Sequence, residues 1–238
     1  MRALLLPLLL LLAGCAAPMR LPPPVPVASE ARVAFTAEAI TAAWAHGYAD
    51  RTTARAVTID DPVRVASISK LVVALGVMRL VEAGTLDLDR DVSDYLGWRL
   101  RNPHFPEVPI TLRLLLSHRS SLTDATDYIV PFGVRLQDAL ADPKAWDAGH
   151  APGTWFAYTN FNFPVIASLI ERASGERFDR VMAREVFAPL GLDACFNWFG
   201  CSDDAVARAV VLYRASGEVA RDELRGVRPE CPTVARGA

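Results

Sequence analysis

The most constraining feature of this 238-residue chain is the stretch Arg64-Val65-Ala66-Ser67-Ile68-Ser69-Lys70, which runs directly into an apolar segment beginning at Leu71. The pattern predicts a helix over 67–83, with Gly84 as the residue just past its last turn. Leu71, Val72, Ala74, Leu75, Met78 and Val81 put apolar side chains on more than one face, so the helix is expected to be buried. Ser67 and Lys70 lie three apart and share a face. A serine hydroxyl is a weak nucleophile until a base takes its proton, and an amine one turn away is placed to do that. The chain has 25 basic residues, of which only Lys70 and Lys144 are lysine. Arginine stays protonated and cannot serve as a base. A lysine here, in an arginine-dominated chain, therefore points to the amine itself. The competing reading is a solvated lysine on the first turn of an ordinary helix.

The start of the chain reads as an export signal. Met1-Arg2 is a short positive region, and Ala3–Leu12 is a leucine-rich run too short to span a bilayer. It ends in Leu12-Ala13-Gly14-Cys15, which resembles the lipobox of bacterial lipoproteins. That resemblance implies cleavage after residue 14, lipidation of Cys15 and residence at the outer membrane facing the periplasm. The other reading is an ordinary signal peptide with an incidental cysteine. Residues 15–31, with Pro22-Pro23-Pro24 and Pro26, are expected to be a semi-rigid extended tether. Folded structure is expected over 32–238, enough chain for one large domain or two small ones. The formal net charge of −2, without a basic patch, points away from nucleic acid as a partner.

Within that region, the strand signals at 40–48 and 56–59 predict a hairpin over 38–60, followed by a mainly helical part over 67–200. Thr111 is a candidate N-cap for a short helix. Helices are also expected over 132–140, 164–173 and 178–187, with a strand over 208–213. A tail over 216–238 carries Pro229 and Pro232 and is expected to pack poorly. An exported chain permits disulfides, and Cys195 and Cys201 flank a five-residue loop they would close, leaving Cys231 over. No Cys/His spacing suits zinc.

Further motifs line up behind Ser67-Ile68-Ser69-Lys70. They are Gly84-Thr85-Leu86-Asp87, Ile110-Thr111-Leu112 through Ser117-His118, Pro152-Gly153-Thr154 and Tyr158-Thr159-Asn160. In identity and order the set resembles the penicilloyl-serine hydrolases. Within that superfamily it is most similar to the branch of class C β-lactamases, D-alanyl-D-alanine carboxypeptidases and β-lactamase-like esterases. The likeness covers roughly residues 33–192. It implies a mixed α/β (α+β) fold of the β-lactamase/transpeptidase type, an antiparallel sheet flanked by helices plus a helical domain. It implies Ser67 as the nucleophile forming an acyl-enzyme, Lys70 as its base, Tyr158 as proton shuttle and Asn160 as a substrate-binding residue that also bonds the lysine. A phenol beside a cation favours its phenolate, which suits the shuttle role. The plainer readings are a half-buried core tyrosine and a helix-capping asparagine. No metal or cofactor is implied. The partners implied are a small-molecule or peptide substrate and, through Cys15, a membrane. His46 and His118 read as structural.

The pattern departs from the family at one point. The third family motif, Lys-Thr-Gly or His-x-Gly on a late strand, does not follow Tyr158. The resemblance therefore implies the front portion of such an enzyme, with the C-terminal sheet strands absent. Loss of half an oxyanion hole costs on the order of 3–4 kcal/mol of transition-state stabilisation. Two functional readings stand: a serine hydrolase acting on an ester, amide or β-lactam, weakened or inactive as written, and a non-catalytic periplasmic lipoprotein binding peptidoglycan peptides or a protein partner.

Overall fold

The computed structural model describes residues 27–131 and 133–220. The export signal, Cys15, most of the tether, Phe132, Cys231 and the tail from 221 lie outside the described residues. The rest divides into two units, one of residues 27–59 with 212–218 and one of 60–211 with 219–220.

The first unit is a three-stranded antiparallel sheet in the order β1 (Ser29–Phe35), β2 (Ile40–Asp50), β3 (Arg55–Ala56). Ser29 pairs with Gly47 and Val33 with Ala43, and a bulge at Ala34/Phe35 ends the ladder. Folded structure thus begins three residues earlier than the tether boundary predicted. Proline cannot donate to a ladder, and once Pro26 is passed the alternating segment Ala31-Arg32-Val33-Ala34-Phe35 is free to pair. Gly47 has φ +97°, and a Cβ there would lie 2.4 Å from Ala28 O, so this strand position accepts only glycine. Tyr213 closes the unit: its hydroxyl accepts from Arg51 N at 2.8 Å and donates to Asp50 Oδ1 at 3.2 Å.

In the second unit a 3₁₀ turn, Ala66–Ile68, leads into α1 (Ser69–Glu82). Only one face of α1 is buried, through Val73, Gly76, Val77 and Leu80. Leu71, Leu75 and Met78 are 64%, 48% and 47% exposed, which overturns the expected all-round burial. Gly76 lets the buried face come close: a Cβ there would meet Met182 Sδ at 2.6 Å. Helices α2 (Ser93–Leu96), α3 (Leu112–Leu116) and α4 (Leu136–Ala139) are short. The expected cap on α3 is present, Thr111 Oγ1 accepting from Leu114 N at 3.3 Å.

The centre of this unit is α5 (Asn162–Ser174), which presents Val165, Ile166, Leu169 and Ile170 with no exposed surface. Each such side chain contributes about 1.5–3 kcal/mol of burial. Gly175, at φ 68°, ends α5 in the left-handed conformation expected just past a helix. α6 (Phe178–Met182) continues through a π turn, Ala183–Phe187, and packs on α1. The expected strand over 208–213 is absent, and α7 (Asp203–Arg208) occupies its beginning. The physical reason lies just upstream. Ser202 caps the Ala205 N–H at 3.0 Å, acidic Asp203 and Asp204 fill the first turn, and Arg208 pairs with Asp204 four residues before it. Cys195 and Cys201 form the expected disulfide, with Cα atoms 5.1 Å apart.

Candidate active site

Ser67 sits on the 3₁₀ turn that opens α1, preceded by Ala66 at φ +46°. The left-handed conformation costs a residue with a Cβ about 1–2 kcal/mol, so the backbone is strained immediately before the serine. One turn on, Lys70 Nζ donates to Ser67 Oγ at 3.0 Å. The shared face predicted from the spacing is therefore realised as a direct bond.

Tyr158 and Asn160 arrive from about ninety residues downstream, held by a short ladder. Gly153 N donates to Arg119 O at 2.8 Å, and the Arg119 guanidinium returns a bond to Gly153 O. Ala157 N donates to His118 O at 3.0 Å, and Thr159 N to His118 Nδ1 at 3.2 Å. This ladder carries Tyr158 Oη to 2.9 Å from Ser67 Oγ. Asn160 Oδ1 accepts from Lys70 Nζ at 2.8 Å and lies 3.4 Å from Tyr158 Oη. Lys70 Nζ also lies 5.1 Å from the Tyr158 ring centroid and 5.2 Å from that of Phe163. All four residues named from the sequence thus meet around one hydroxyl. Ser67 and Tyr158 are exposed and Lys70 and Asn160 partly buried, so the serine hydroxyl faces solvent while its hydrogen-bonding support lies behind it.

Electrostatics follow from that placement. Hydrogen bonds from Lys70 and Ser67, reinforced by the lysine charge, hold the Tyr158 phenol below the ordinary value of 10.0. The phenolate form of Tyr158 is thereby favoured.

Two residues beside the site were not read as functional. His118 has φ +55° and stacks on Tyr158, ring centroids 4.6 Å apart. Burial and the nearby Lys70 charge push its imidazole below 6.5. Its Nδ1 accepts the Thr159 N–H, so the proton of the neutral ring is on Nε2. Behind it, Asn162 Nδ2 lies 3.1 Å from the same Nδ1, and Ser120 Oγ donates to Asn162 Oδ1 at 2.6 Å. The second residue is Asp124. Its Oδ1 accepts from Thr159 Oγ1 at 2.6 Å, Asn160 N at 2.8 Å and Phe161 N at 3.2 Å; its Oδ2 accepts from Asn160 Nδ2 at 2.8 Å. Burial works to raise this carboxyl, but those bonds outweigh it and hold Asp124 below the ordinary carboxylate value. A lone aspartate in a loop has no periodic signal, so only the three-dimensional fold exposes it. His46 lies in β2, paired with Glu30, consistent with a strand role.

Comparison with known proteins gives a consistent picture. Residues 32–230 match the family described as Beta-lactamase. "Penicillin-binding protein 4" of Amycolatopsis lactamdurans is 32% identical over 155 residues, covering 62% of this chain and 39% of that protein. The D-alanyl-D-alanine-carboxypeptidase/endopeptidase AmpH of Escherichia coli (strain K12) is 29% identical over 167 residues, covering 66% of this chain and 42% of the relative. The chain therefore spans less than half the length of these curated relatives. Among solved structures, EstCE1, described as a hydrolase with promiscuous acyltransferase activity, matches with a TM-score of 0.68 at 26% identity. That match covers 82% of this chain and 55% of the other.

Proposed function

The chain belongs to the Beta-lactamase family, a family of serine hydrolases with this mixed α/β fold, and within it we propose that Ser67 is acylated by an ester, amide or β-lactam carbonyl. The observation that carries this reading is the convergence of Lys70 Nζ and Tyr158 Oη on Ser67 Oγ, at 3.0 and 2.9 Å. As Ser67 Oγ bonds to the carbonyl carbon, its proton passes to the Tyr158 oxygen, helped by the Lys70 charge. That proton moves on to the leaving nitrogen or oxygen as its bond to the carbonyl carbon breaks. Water then attacks the acyl carbon and gives a proton to the Tyr158 oxygen, which passes it to Ser67 Oγ as the acyl carbon–Oγ bond breaks, releasing the carboxylic acid and restoring the hydroxyl. Asn160 holds Lys70 and is placed to meet a substrate amide. Relatives named as a carboxypeptidase/endopeptidase and as a hydrolase with acyltransferase activity support acyl chemistry as the reaction class.

Export and anchoring through Cys15 belong to the same proposal and rest on the sequence of residues 1–15.

The test is the intact mass of the protein after incubation with a fluorophosphonate and, separately, with a penicillin. An adduct is expected on the parent and none on Ser67→Ala. A folded parent that stays unmodified would overturn the reading. Reversible, saturable binding of peptidoglycan peptides that survives Ser67→Ala would then favour the binding role.

A further inference from the structure

Asp124 does not touch the Ser67 hydroxyl, yet among the described residues all its hydrogen bonds run to Thr159, Asn160 and Phe161. It makes no ion pair with a lysine or arginine among those residues. Its charge is thus balanced by the site loop rather than by a surface cation.

Resting on the reading of Ser67 as nucleophile, we propose that Asp124 is a positioning residue that fixes the orientation of the Asn160 carboxamide and, through it, the placement of Lys70. The reasoning is one of donors and acceptors. A carboxylate only accepts hydrogen bonds, so the Asn160 group facing Asp124 Oδ2 at 2.8 Å must be the NH₂. A protonated amine only donates, so the group facing Lys70 Nζ at 2.8 Å must be the carbonyl oxygen. An amide held between the two has one satisfied orientation. Turning it over would set oxygen against oxygen on one side and N–H against N–H on the other. The same carboxylate holds the backbone N–H groups of Asn160 and Phe161, so amide plane and backbone are fixed together. Lys70 is thereby kept between Asn160 Oδ1 and Ser67 Oγ. Asp124→Asn keeps the shape but removes this rule at one end, because a carboxamide offers both a donor and an acceptor to Asn160 and leaves Lys70 alone to select the orientation.

The experiment compares the parent with Asp124→Asn and Thr159→Val in two readouts. Thr159→Val removes one bond to the same carboxylate and leaves the Asn160 amide contact intact. The first readout is hydrogen exchange and NMR of the Asn160 side-chain NH₂. Exchange is expected to quicken about tenfold or more in Asp124→Asn and to stay close to the parent in Thr159→Val. The second is the rate of fluorophosphonate labelling at Ser67, expected to fall about 10- to 100-fold in folded Asp124→Asn, as a small misplacement near a reacting group does. Unchanged NH₂ exchange in folded Asp124→Asn overturns the proposal, as does equal slowing of labelling in the two variants. A parent that is not labelled at all defeats the catalytic reading, while the NH₂ exchange still decides the role of Asp124. Should Asp124→Asn not fold, the parent decides. Its Asn160 NH₂ signals are expected to move with the titration of the Asp124 carboxyl, and signals that ignore that titration overturn the proposal.

Discussion

The buried bond between Ser120 and Asn162 is where the support of the site can be measured most directly. Ser120 is 1% exposed and Asn162 fully buried. Ser120 Oγ donates to Asn162 Oδ1 at 2.6 Å and accepts from Leu122 N at 3.2 Å, while Asn162 Nδ2 lies 3.1 Å from His118 Nδ1. Ser120→Ala strips the Asn162 carbonyl of its donor and the Leu122 N–H of an acceptor. A buried group left unsatisfied costs about 1–3 kcal/mol, and the Leu122 bond is long, so the expected loss is about 2 kcal/mol. Asn162→Ala orphans the Ser120 hydroxyl and leaves a small void, at about 3 kcal/mol. In the double variant neither partner is orphaned, so the total should fall short of the sum by about 1–2 kcal/mol. Urea unfolding followed by the fluorescence of Trp146, which is buried in the same unit, measures all three variants. With a slope of about 2 kcal/mol/M, Ser120→Ala should move the midpoint by roughly 1 M without changing the slope. A coupling below about 0.5 kcal/mol would refute the reasoning, because the two side chains would then be acting independently.

Two further outcomes follow from the site and from the start of the chain. Tyr158 is expected to ionise below 10.0, read from the phenolate absorbance of the parent minus that of Tyr158→Phe, and removing the cation in Lys70→Gln should move the midpoint upward; a midpoint indifferent to Lys70 would contradict the hydrogen-bonded arrangement. Because the folded value is depressed, the phenolate form gains ground as pH rises toward 10, and Ser67 labelling should rise across that same window. In a bacterial host, labelled palmitate should appear on the parent and be missing from Cys15→Ser, and equal labelling of the two would remove lipid anchoring from the proposal.

The four residues that converge at the candidate site were legible because they lie close in sequence or within short motifs. Ser67 and Lys70 lie within one helical turn, so spacing alone sets them on one face. Tyr158 and Asn160 lie in a three-residue motif, although it is the Gly153–Thr159 ladder on His118 and Arg119 that brings them to Ser67. The cap at Thr111, the stop at Gly84 and the Cys195–Cys201 pair were legible for the same reason: each depends on residues a few positions apart. Misreadings arose where the deciding partner was distant or the local signal was outvoted. The first three residues of β1 were assigned to the tether because Pro22–Pro26 dominated their neighbourhood, and the partner strand starts only at Ile40. The segment from 208 was read from its β-forming residues, while the helix-starting sequence Ser202-Asp203-Asp204 lay just upstream. The exposed row Leu71, Leu75 and Met78 shows that apolarity around a helix does not decide burial; what packs against the helix does.

The same division runs through the site itself. The groups that touch the reacting hydroxyl belong to recognisable motifs, whereas those that hold them in place, Asp124, His118, Ser120 and Asn162, are ordinary polar residues. Their roles come from burial and from the direction of their donors and acceptors. From Asp124 to Ser67 the bonds run in an unbroken order. The carboxylate accepts from the Asn160 amide, the amide carbonyl accepts from Lys70, and Lys70 donates to Ser67 Oγ, which is bonded in turn to Tyr158. Turning the Asn160 amide over leaves two acceptors face to face on one side and two donors on the other, and in a partly buried position that penalty is only incompletely relieved by water. The direction of this chain is therefore set at its partly buried, negatively charged end, and the exposed serine inherits it. Substitutions behind the site should consequently disturb the position of Lys70 and the ionisation of Tyr158 as well as the stability of the fold.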